Sequence, residues 1–255
     1  MRAAIVIPAR YASSRLPGKP LLRSTGKYLV QHVYERALQA KRAAEVLIAT
    51  DDPRILAAAR SFGARAVLTH RNHASGTDRV AEVARGLNAD VVVNLQGDEP
   101  LIDPADLDRL PELLDANPDA AMATLAVPVR SLEDYLSPHC VKVVCDDRGH
   151  ALYFSRSPVP AVRDGRPDLA ARPPLFLHHL GLYAYRREVL LRLAALPPSP
   201  LEQAEKLEQL RALSLGWKIQ VGVVADCAGG VDTWEEYRQF VREYRRQSRP
   251  GRRAA

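Results

Sequence analysis

The feature that most constrains this chain is its alternation of short apolar runs with helix-periodic segments. Residues 3–8 (AAIVIP), 45–50 (EVLIAT), 66–69 and 90–95 (DVVVNL) are apolar runs of strand length. Runs of this kind read as strands buried on both faces. Between them, residues 28–39 carry Leu29, Val33 and Ala37 at helical spacing. Residues 53–61 form a helix opened by Asp52 as cap and Pro53 at the first position, and residues 77–86 form a third helix. Strand–helix alternation implies βαβ units, right-handed crossovers and a mostly parallel sheet, hence an α/β fold.

The second half changes character. Residues 121–129, 141–145, 151–155 and 180–185 read as strands joined by turns, with Arg148-Gly149 punctuating a hairpin. Residues 161–174, rich in Pro, Arg, Asp and Gly, read as a loop. One helix is expected over 200–215, a strand over 218–224 and a closing helix over 233–244. No linker divides the chain, so residues 1–245 are expected to form one domain. Its strand-rich part spans about 130–190, and a flexible basic tail follows at 246–255.

Composition excludes several classes. At 255 residues and 47% hydrophobic, the chain can bury a full core. Only 6% is aromatic, which argues against a base-stacking nucleic-acid platform. No apolar run approaches the roughly 20 residues of a membrane span. Three cysteines (Cys140, Cys145, Cys227) make no disulfide framework and no zinc-knuckle spacing, so a reduced, cytoplasmic setting is expected. The net charge of +6 fits an anionic partner. A small phosphorylated molecule is favoured over nucleic acid, because cations concentrate at one strand exit and in the tail rather than along a stripe.

Six short motifs carry the chemistry. Pro8-Ala-Arg-Tyr-Ala-Ser-Ser-Arg-Leu-Pro-Gly-Lys19 leaves the first strand with Arg10, Arg15 and Lys19 around two serines and a glycine. Small residues let backbone N–H groups approach phosphate oxygens while cations neutralise them. The spacing is neither that of a Walker A loop nor G-x-G-x-x-G. The bland alternative is a turn with solvated arginines. Asn94-Leu-Gln-Gly-Asp-Glu-Pro100 also leaves an apolar strand and projects Asp98 and Glu99 from the sheet edge, where a carboxylate can hold Mg²⁺ against substrate phosphates; the bland alternative is a turn with helix-capping acids. Ser75-Gly-Thr-Asp-Arg79 opens a helix, whose free N–H groups can bind an anion or a base edge; the equal alternative is a simple capping motif with Thr77 as the cap. On the stretch His178-His-Leu-Gly-Leu-Tyr-Ala-Tyr185, strand geometry puts His179, Gly181, Tyr183 and Tyr185 on one face. Glu202, Glu205 and Glu208 follow at i, i+3, i+6, a pattern usually belonging to a solvated helix face. Finally, Gly229-Gly-Val-Asp-Thr233 places Asp232 just ahead of a helix.

Together, in this order and spacing, these motifs resemble the 3-deoxy-manno-octulosonate (Kdo) cytidylyltransferases. The similar stretches run from residue 7 to residue 233 and include IPARYASSRLPGKPL, SGTDRVAEV, VVNLQGDEPLI, VKVV, ALYFSRSPVP, HHLGLYAYR and GVDT. The resemblance implies a Rossmann-like nucleotidyltransferase fold with a smaller strand-rich insertion. It implies CMP transfer from CTP to Kdo, a step feeding lipopolysaccharide synthesis, in a homodimer that uses Mg²⁺ and no membrane or nucleic-acid partner.

Residue by residue, Arg10, Ser13, Ser14, Arg15 and Lys19 resemble the triphosphate loop. Ser75, Gly76 and Thr77 would hold the cytosine or its ribose, and Asp98 and Asp232 the Mg²⁺. Arg79, Gln96, His179, Tyr183, Glu208 and Gln209 would line the sugar-acid pocket. The chain departs from the family pattern at Asp78, Tyr28, His178, Trp234 and Ala161, none of which is an implied metal ligand or triphosphate contact. The neighbouring readings are a cytidylyltransferase for 8-amino-Kdo or sialic acid, and a non-catalytic nucleotide-binding module.

Overall fold

Nine strands build one twisted sheet in the computed structural model, which describes residues 1–12, 16–171, 174–227 and 229–247. The strands are β1 (Ala3–Ala9), β2 (Ala43–Thr50), β3 (Ala66–Leu68), β4 (Val91–Asn94), β5 (Ala120–Pro128), β6 (Lys142–Cys145), β7 (Ala151–Ser155), β8 (Leu177–Arg186) and β9 (Lys218–Val223). The main path runs β3-β2-β1-β4-β8-β5-β9. Along it, pairings β3–β2, β2–β1, β1–β4 and β5–β9 are parallel, and only β8 runs antiparallel to both its neighbours. The β6–β7 hairpin extends from the Leu177 end of β8. The expected α/β architecture, a mostly parallel sheet with a strand-rich insertion, is the one observed.

Helices cover both faces. Against one face pack α1 (Leu29–Ala37), α2 (Pro53–Ser61) and α4 (Pro104–Ala116), through Val30, Val33, Ile55, Leu107, Leu110 and Leu114. Against the other pack α3 (Gly76–Ala84), α6 (Arg187–Ala195) and α8 (Gln209–Ser214), through Val80, Ala84, Leu190, Leu193 and Leu210. Two short helices, α5 (Leu132–Leu136) and α7 (Pro200–Glu205), and the closing α9 (Trp234–Gln247) complete the fold. A helix of the length of α9 is well short of a span, and no described helix is long and apolar enough to cross a membrane.

Several sequence expectations need correction. Helix α3 begins one residue early: Ser75, not Thr77, is its cap, accepting from Asp78 N while Asp78 reaches back to Ser75 N. The single helix expected over 200–215 is two, broken where Lys206 adopts a left-handed backbone (φ 55°). That break overturns the solvated-face reading of the three glutamates. Glu202 pairs with Arg211 (2.6 Å), Glu205 accepts from Ser155 Oγ (2.7 Å), and Glu208 accepts from Thr77 Oγ1 (2.6 Å). Helix α4 goes beyond the sequence reading, although Asp103 caps it at Ala105 N ahead of Pro104 in the usual manner. Helices α5 and α6 likewise add to it. Helix α9 continues to Gln247, so only residues 248–255 of the expected tail lie outside the described residues.

Two buried cationic or basic groups shape the interior. Lys142 is fully buried and spends its ammonium on three carbonyls, of Ser137 (2.7 Å), Cys140 (2.5 Å) and Arg156 (2.8 Å). That matches the donor capacity of an ammonium and ties the hairpin to its flanking loops. His32 lies under α9, edge-on to Phe240 and Tyr244, with Nε2 2.7 Å from Thr25 Oγ1. Burial, reinforced by Lys27 and opposed by Glu35, pushes its pKa down to about 4.

A depressed histidine pKa means that the unfolded chain takes up a proton before the folded one. His32 therefore withdraws stability as pH falls from about 6.5 to about 4, by at most about 1.4 kcal/mol per pH unit. His32→Phe should keep the aromatic packing and flatten the pH dependence of chemical-denaturation stability in that window. Parallel curves for the two proteins would show that His32 is not the group responsible.

Candidate active site

The site is built where β1 and β4, parallel neighbours, end side by side. Each passes into one of the motifs read from sequence: residues 10–19 after β1, residues 95–100 after β4. Gly97 lets the two exits touch. A Cβ there would lie 2.9 Å from the Pro8 carbonyl oxygen and 3.7 Å from Ala9 Cβ, so only glycine fits without displacing backbone.

The third turn, 229–233, is stitched to the second by a backbone bond from Val231 N to Asp98 O (2.7 Å). It is locked from the other side by Glu236, whose Oε2 accepts from Asp232 N (2.7 Å) and Thr233 N (2.8 Å). Thr233 Oγ1 in turn accepts from Glu236 N (3.2 Å), completing a capping box at the start of α9. Asp98 and Asp232, 134 positions apart in sequence, thereby face one point. The Lys19 ammonium stands there, 2.5 Å from Asp98 Oδ2 and 2.9 Å from Asp232 Oδ1.

Helix α9 also holds the segment that carries Lys19. Tyr237, Phe240 and Val241 pack on Leu16 and Leu29 in a small separate core. The peptide groups of Ser24 are captured by α9, its N–H by Tyr237 Oη and its carbonyl by Arg245 (both 2.8 Å). Tyr11, at the start of the loop, accepts from Gly18 N through its carbonyl (3.2 Å) while the Arg54 guanidinium stacks on its ring (3.5 Å).

Two cavities meet at the paired acids. One, of about 760 Å³, is lined by Pro8, Ala9, Arg10, Ala12, Lys19, Gly97 and the acids. The other, of about 660 Å³, reaches under β8 to His139, His179, Tyr183, Gln209 and Cys227. Gln96, Asp98 and Asp232 line both. The first carries the cations Arg10 and Lys19 beside the two acids and lies at the β1 exit loop. In the wall of the second, burial holds His179 and Tyr183 uncharged.

His179 shows how. Two extra residues in β8 opposite Thr124/Leu125 make a bulge, which keeps His179 and Tyr183 on one face, their rings 5.3 Å apart. Thr124 Oγ1 closes the bulge by donating toward the carbonyls of Leu180 (3.1 Å) and Leu182 (2.8 Å). Its single proton is thus spent, so His179 Nε2–H donates to Thr124 Oγ1 (3.0 Å) and Nδ1 remains an acceptor. Burial first, then His178, lowers the His179 pKa to about 3, so the ring is neutral at physiological pH. Burial, with Tyr185 and Glu208 adding, raises the Tyr183 hydroxyl well above its ordinary value. Gln209 is buried, and its Nε2 lacks a hydrogen-bond partner among the described residues.

The residues expected from sequence therefore divide. Arg10, Lys19, Gln96, Asp98, Asp232, His179, Tyr183 and Gln209 line the two cavities. Ser75, Thr77 and Glu208 form a cluster of their own: Glu208 accepts from both hydroxyls, and Asn94 Nδ2 donates to Thr77 Oγ1 (3.4 Å). Burial is the largest influence on the Glu208 carboxyl and raises its pKa. Gly76 lies beside that cluster and faces Gln96; a methyl on its α-carbon would stand 3.8 Å from Gln96 Oε1. Arg79 lines neither cavity; it is buried against Asp51 (3.0 Å) and Thr69. Tyr185 shares the face of His179 and Tyr183 as expected, its ring 5.8 Å from that of Tyr183, but it is buried in the core and lines neither cavity. Ser13, Ser14 and Arg15 lie outside the described residues. Glu99, read beside Asp98 in its strand-exit motif, lines the second cavity, while sequence reading missed His139 and Glu236. The T-x-x-E spacing of Thr233 and Glu236 was the legible signal for the last.

A divalent cation fits this centre. The two carboxylates already converge on one cationic atom, oxygen is the donor magnesium prefers, and a two-acid site completed by phosphate oxygens is a common arrangement for it. Among the described residues no cluster of three or more His, Cys, Asp or Glu offers a self-sufficient protein cage.

Comparison with known proteins identifies the family of this chain. Residues 4–219 match the cytidylyltransferase family model. A 3-deoxy-manno-octulosonate cytidylyltransferase from Geotalea daltonii is 52% identical over 238 residues, covering 91% of this chain and 94% of that protein. One from Escherichia coli is 50% identical over 232 residues, covering 91% and 92%. This chain belongs to the 3-deoxy-manno-octulosonate cytidylyltransferase family. Its backbone follows a solved structure of CMP:2-keto-3-deoxy-manno-octonic acid synthetase complexed with CTP, with a TM-score of 0.90, 47% identity, and coverage of 97% of this chain and all of the other. A cytidylyltransferase from Leptospira borgpetersenii, 20% identical with a TM-score of 0.61, shares the fold.

Gly97→Ala tests the contact between the two strand exits. The added methyl must push on the Pro8 carbonyl, costing roughly 1–3 kcal/mol of stability. It should also lower turnover more than a remote substitution of equal destabilisation, because Gly97 lines the cationic cavity. Wild-type melting temperature and turnover together would refute the close-contact account.

Proposed function

We propose that this protein transfers CMP from CTP to the anomeric hydroxyl of Kdo, releasing pyrophosphate and supplying activated sugar acid for lipopolysaccharide synthesis in the cytoplasm. The observation that carries this reading is the pair of cavities meeting at Asp98, Asp232 and Gln96. Family membership fits that geometry to two substrates, a nucleotide on the cationic side and a sugar acid on the β8 side.

The chemistry follows from the charges. Both substrates are anions, so the reaction needs charge neutralisation and in-line placement more than a covalent intermediate. Arg10 and Lys19 neutralise the triphosphate in the first cavity. Gln209 offers its unpaired amide to the sugar acid, and neutral His179 and un-ionised Tyr183 bind its hydroxyls without adding charge. Gln96 spans the junction where hydroxyl and α-phosphorus must meet. Asp98 and Asp232 would hold Mg²⁺, which when bound supplies positive charge to the phosphates and acidifies an attacking hydroxyl.

Exposed Leu132, Leu136, Leu152 and Leu175, all on the strand-rich half, favour a homodimer closed through that part of the fold. Light scattering at micromolar concentration should give twice the chain mass; the mass of a single chain would exclude it.

The decisive assay is pyrophosphate release with each nucleoside triphosphate crossed against Kdo, 8-amino-Kdo and sialic acid. CTP with Kdo should be fastest. Equal release with ATP, or faster release with either other acid, would overturn the substrate assignment. In the same assay Asp98→Asn and Asp232→Asn should stay folded, lose roughly a hundredfold or more in turnover, and need more Mg²⁺ for what remains.

A further inference from the structure

Lys19 is placed differently from an ordinary phosphate-binding lysine. Its stem lies in the wall of the cationic cavity, yet its ammonium is turned to the junction and ion-paired to both acids. Only 12% of the side chain is exposed, so the position is enclosed rather than a surface contact. The backbone at Lys19 is held in a short 3-10 turn, Lys19–Leu21, with Leu22 N bonded back to the Lys19 carbonyl (3.1 Å). The flexible part is the four-carbon stem, and both the junction and the cavity are within its reach.

We propose that Lys19 is a resident counter-ion of the two-carboxylate centre, and that a divalent cation and the Lys19 ammonium hold Asp98 and Asp232 alternately. A cation bound between those oxygens would sit where the ammonium now does, and two positive groups cannot share the point. Among the described residues, the cavity that Lys19 and Arg10 both line is open to the displaced ammonium. An anion of the triphosphate or pyrophosphate class there gives it new partners. Anion binding thus removes the competitor from the acids, and cation binding makes the ammonium available to the anion. By linkage each ligand strengthens the other by the same factor. The same lysine keeps two like charges together before either arrives. This deepens the metal–nucleotide reading of the centre and rests on it.

The test uses Mn²⁺ alone, with neither sugar acid nor turnover, so its failure is separable from failure of the substrate assignment. Binding is measured by the paramagnetic signal of free Mn²⁺ on wild type, Lys19→Met and Lys19→Met/Asp98→Asn. Lys19→Met should bind Mn²⁺ at least tenfold tighter than wild type, and the added Asp98→Asn should abolish the gain. Affinity equal to or weaker than wild type in a folded Lys19→Met protein overturns the proposal.

A second measurement needs no variant. The chain has six lysines, and ¹H–¹⁵N correlations of enclosed ammonium groups can be followed in the wild-type protein. Titration with Mg²⁺ alone should shift or erase the Lys19 correlation and leave that of Lys142, fixed by three carbonyls, unmoved. A Lys19 signal unchanged at saturating Mg²⁺ would equally overturn the proposal.

Discussion

Two carboxylates held against one ammonium are the constraint on which the rest of the structure depends. Unit charges of like sign 4 Å apart repel by about 4 kcal/mol at an effective dielectric of 20, less where solvent screens them. No fold places such a pair by accident of packing. Here the pair is enforced by backbone: Val231 N on Asp98 O, and Glu236 on the peptide groups of Asp232 and Thr233. Lys19 then neutralises what the backbone has brought together. Backbone bonds hold the two carboxylates in place, which lowers the reorganisation cost of a site for anionic reactants.

The same logic explains why α9 matters beyond its own packing. One helix fixes Asp232 at its start and the Lys19 segment along its length, through Tyr237, Arg245 and the small core around Leu16 and Leu29. The cation and its two partners are thus referenced to one rigid element. On the far side, the β8 bulge and Thr124 fix the tautomer of His179, while burial keeps it and Tyr183 uncharged. A cavity carrying Arg10 and Lys19 and one carrying His179, Tyr183 and Gln209 thus share an acidic junction at Asp98 and Asp232.

Much of this was legible in the residues. Apolar runs and the Asp52-Pro53 start placed β1, β2, β4 and α2 within a residue or two, because strands buried on both faces and capped helices write themselves locally. The strand-exit motifs located Lys19, Asp98 and Asp232. What was not legible depends on contacts distant in sequence. Arg79 reads as a pocket cation until Asp51 and Thr69 are seen to enclose it. The three glutamates after Ser199 read as a solvated face because their helical spacing is intact in sequence. The left-handed turn at Lys206, a residue with no glycine-like signal, redirects them into three separate interactions. The N-cap of α3 lies two residues before the expected one because Ser75 and Thr77 are both good caps, and Thr77 is instead committed to Glu208.

The central claim is that nucleotide and sugar acid meet at one two-carboxylate centre from separate cavities. Paramagnetic relaxation by Mn²⁺ tests it directly, with Kdo and a non-hydrolysable CTP analogue bound together. The account predicts strong relaxation of both the nucleotide α-phosphorus and the Kdo protons nearest its anomeric carbon, and loss of both effects in Asp98→Asn. Strong relaxation of only one ligand, or relaxation that survives Asp98→Asn, would contradict it.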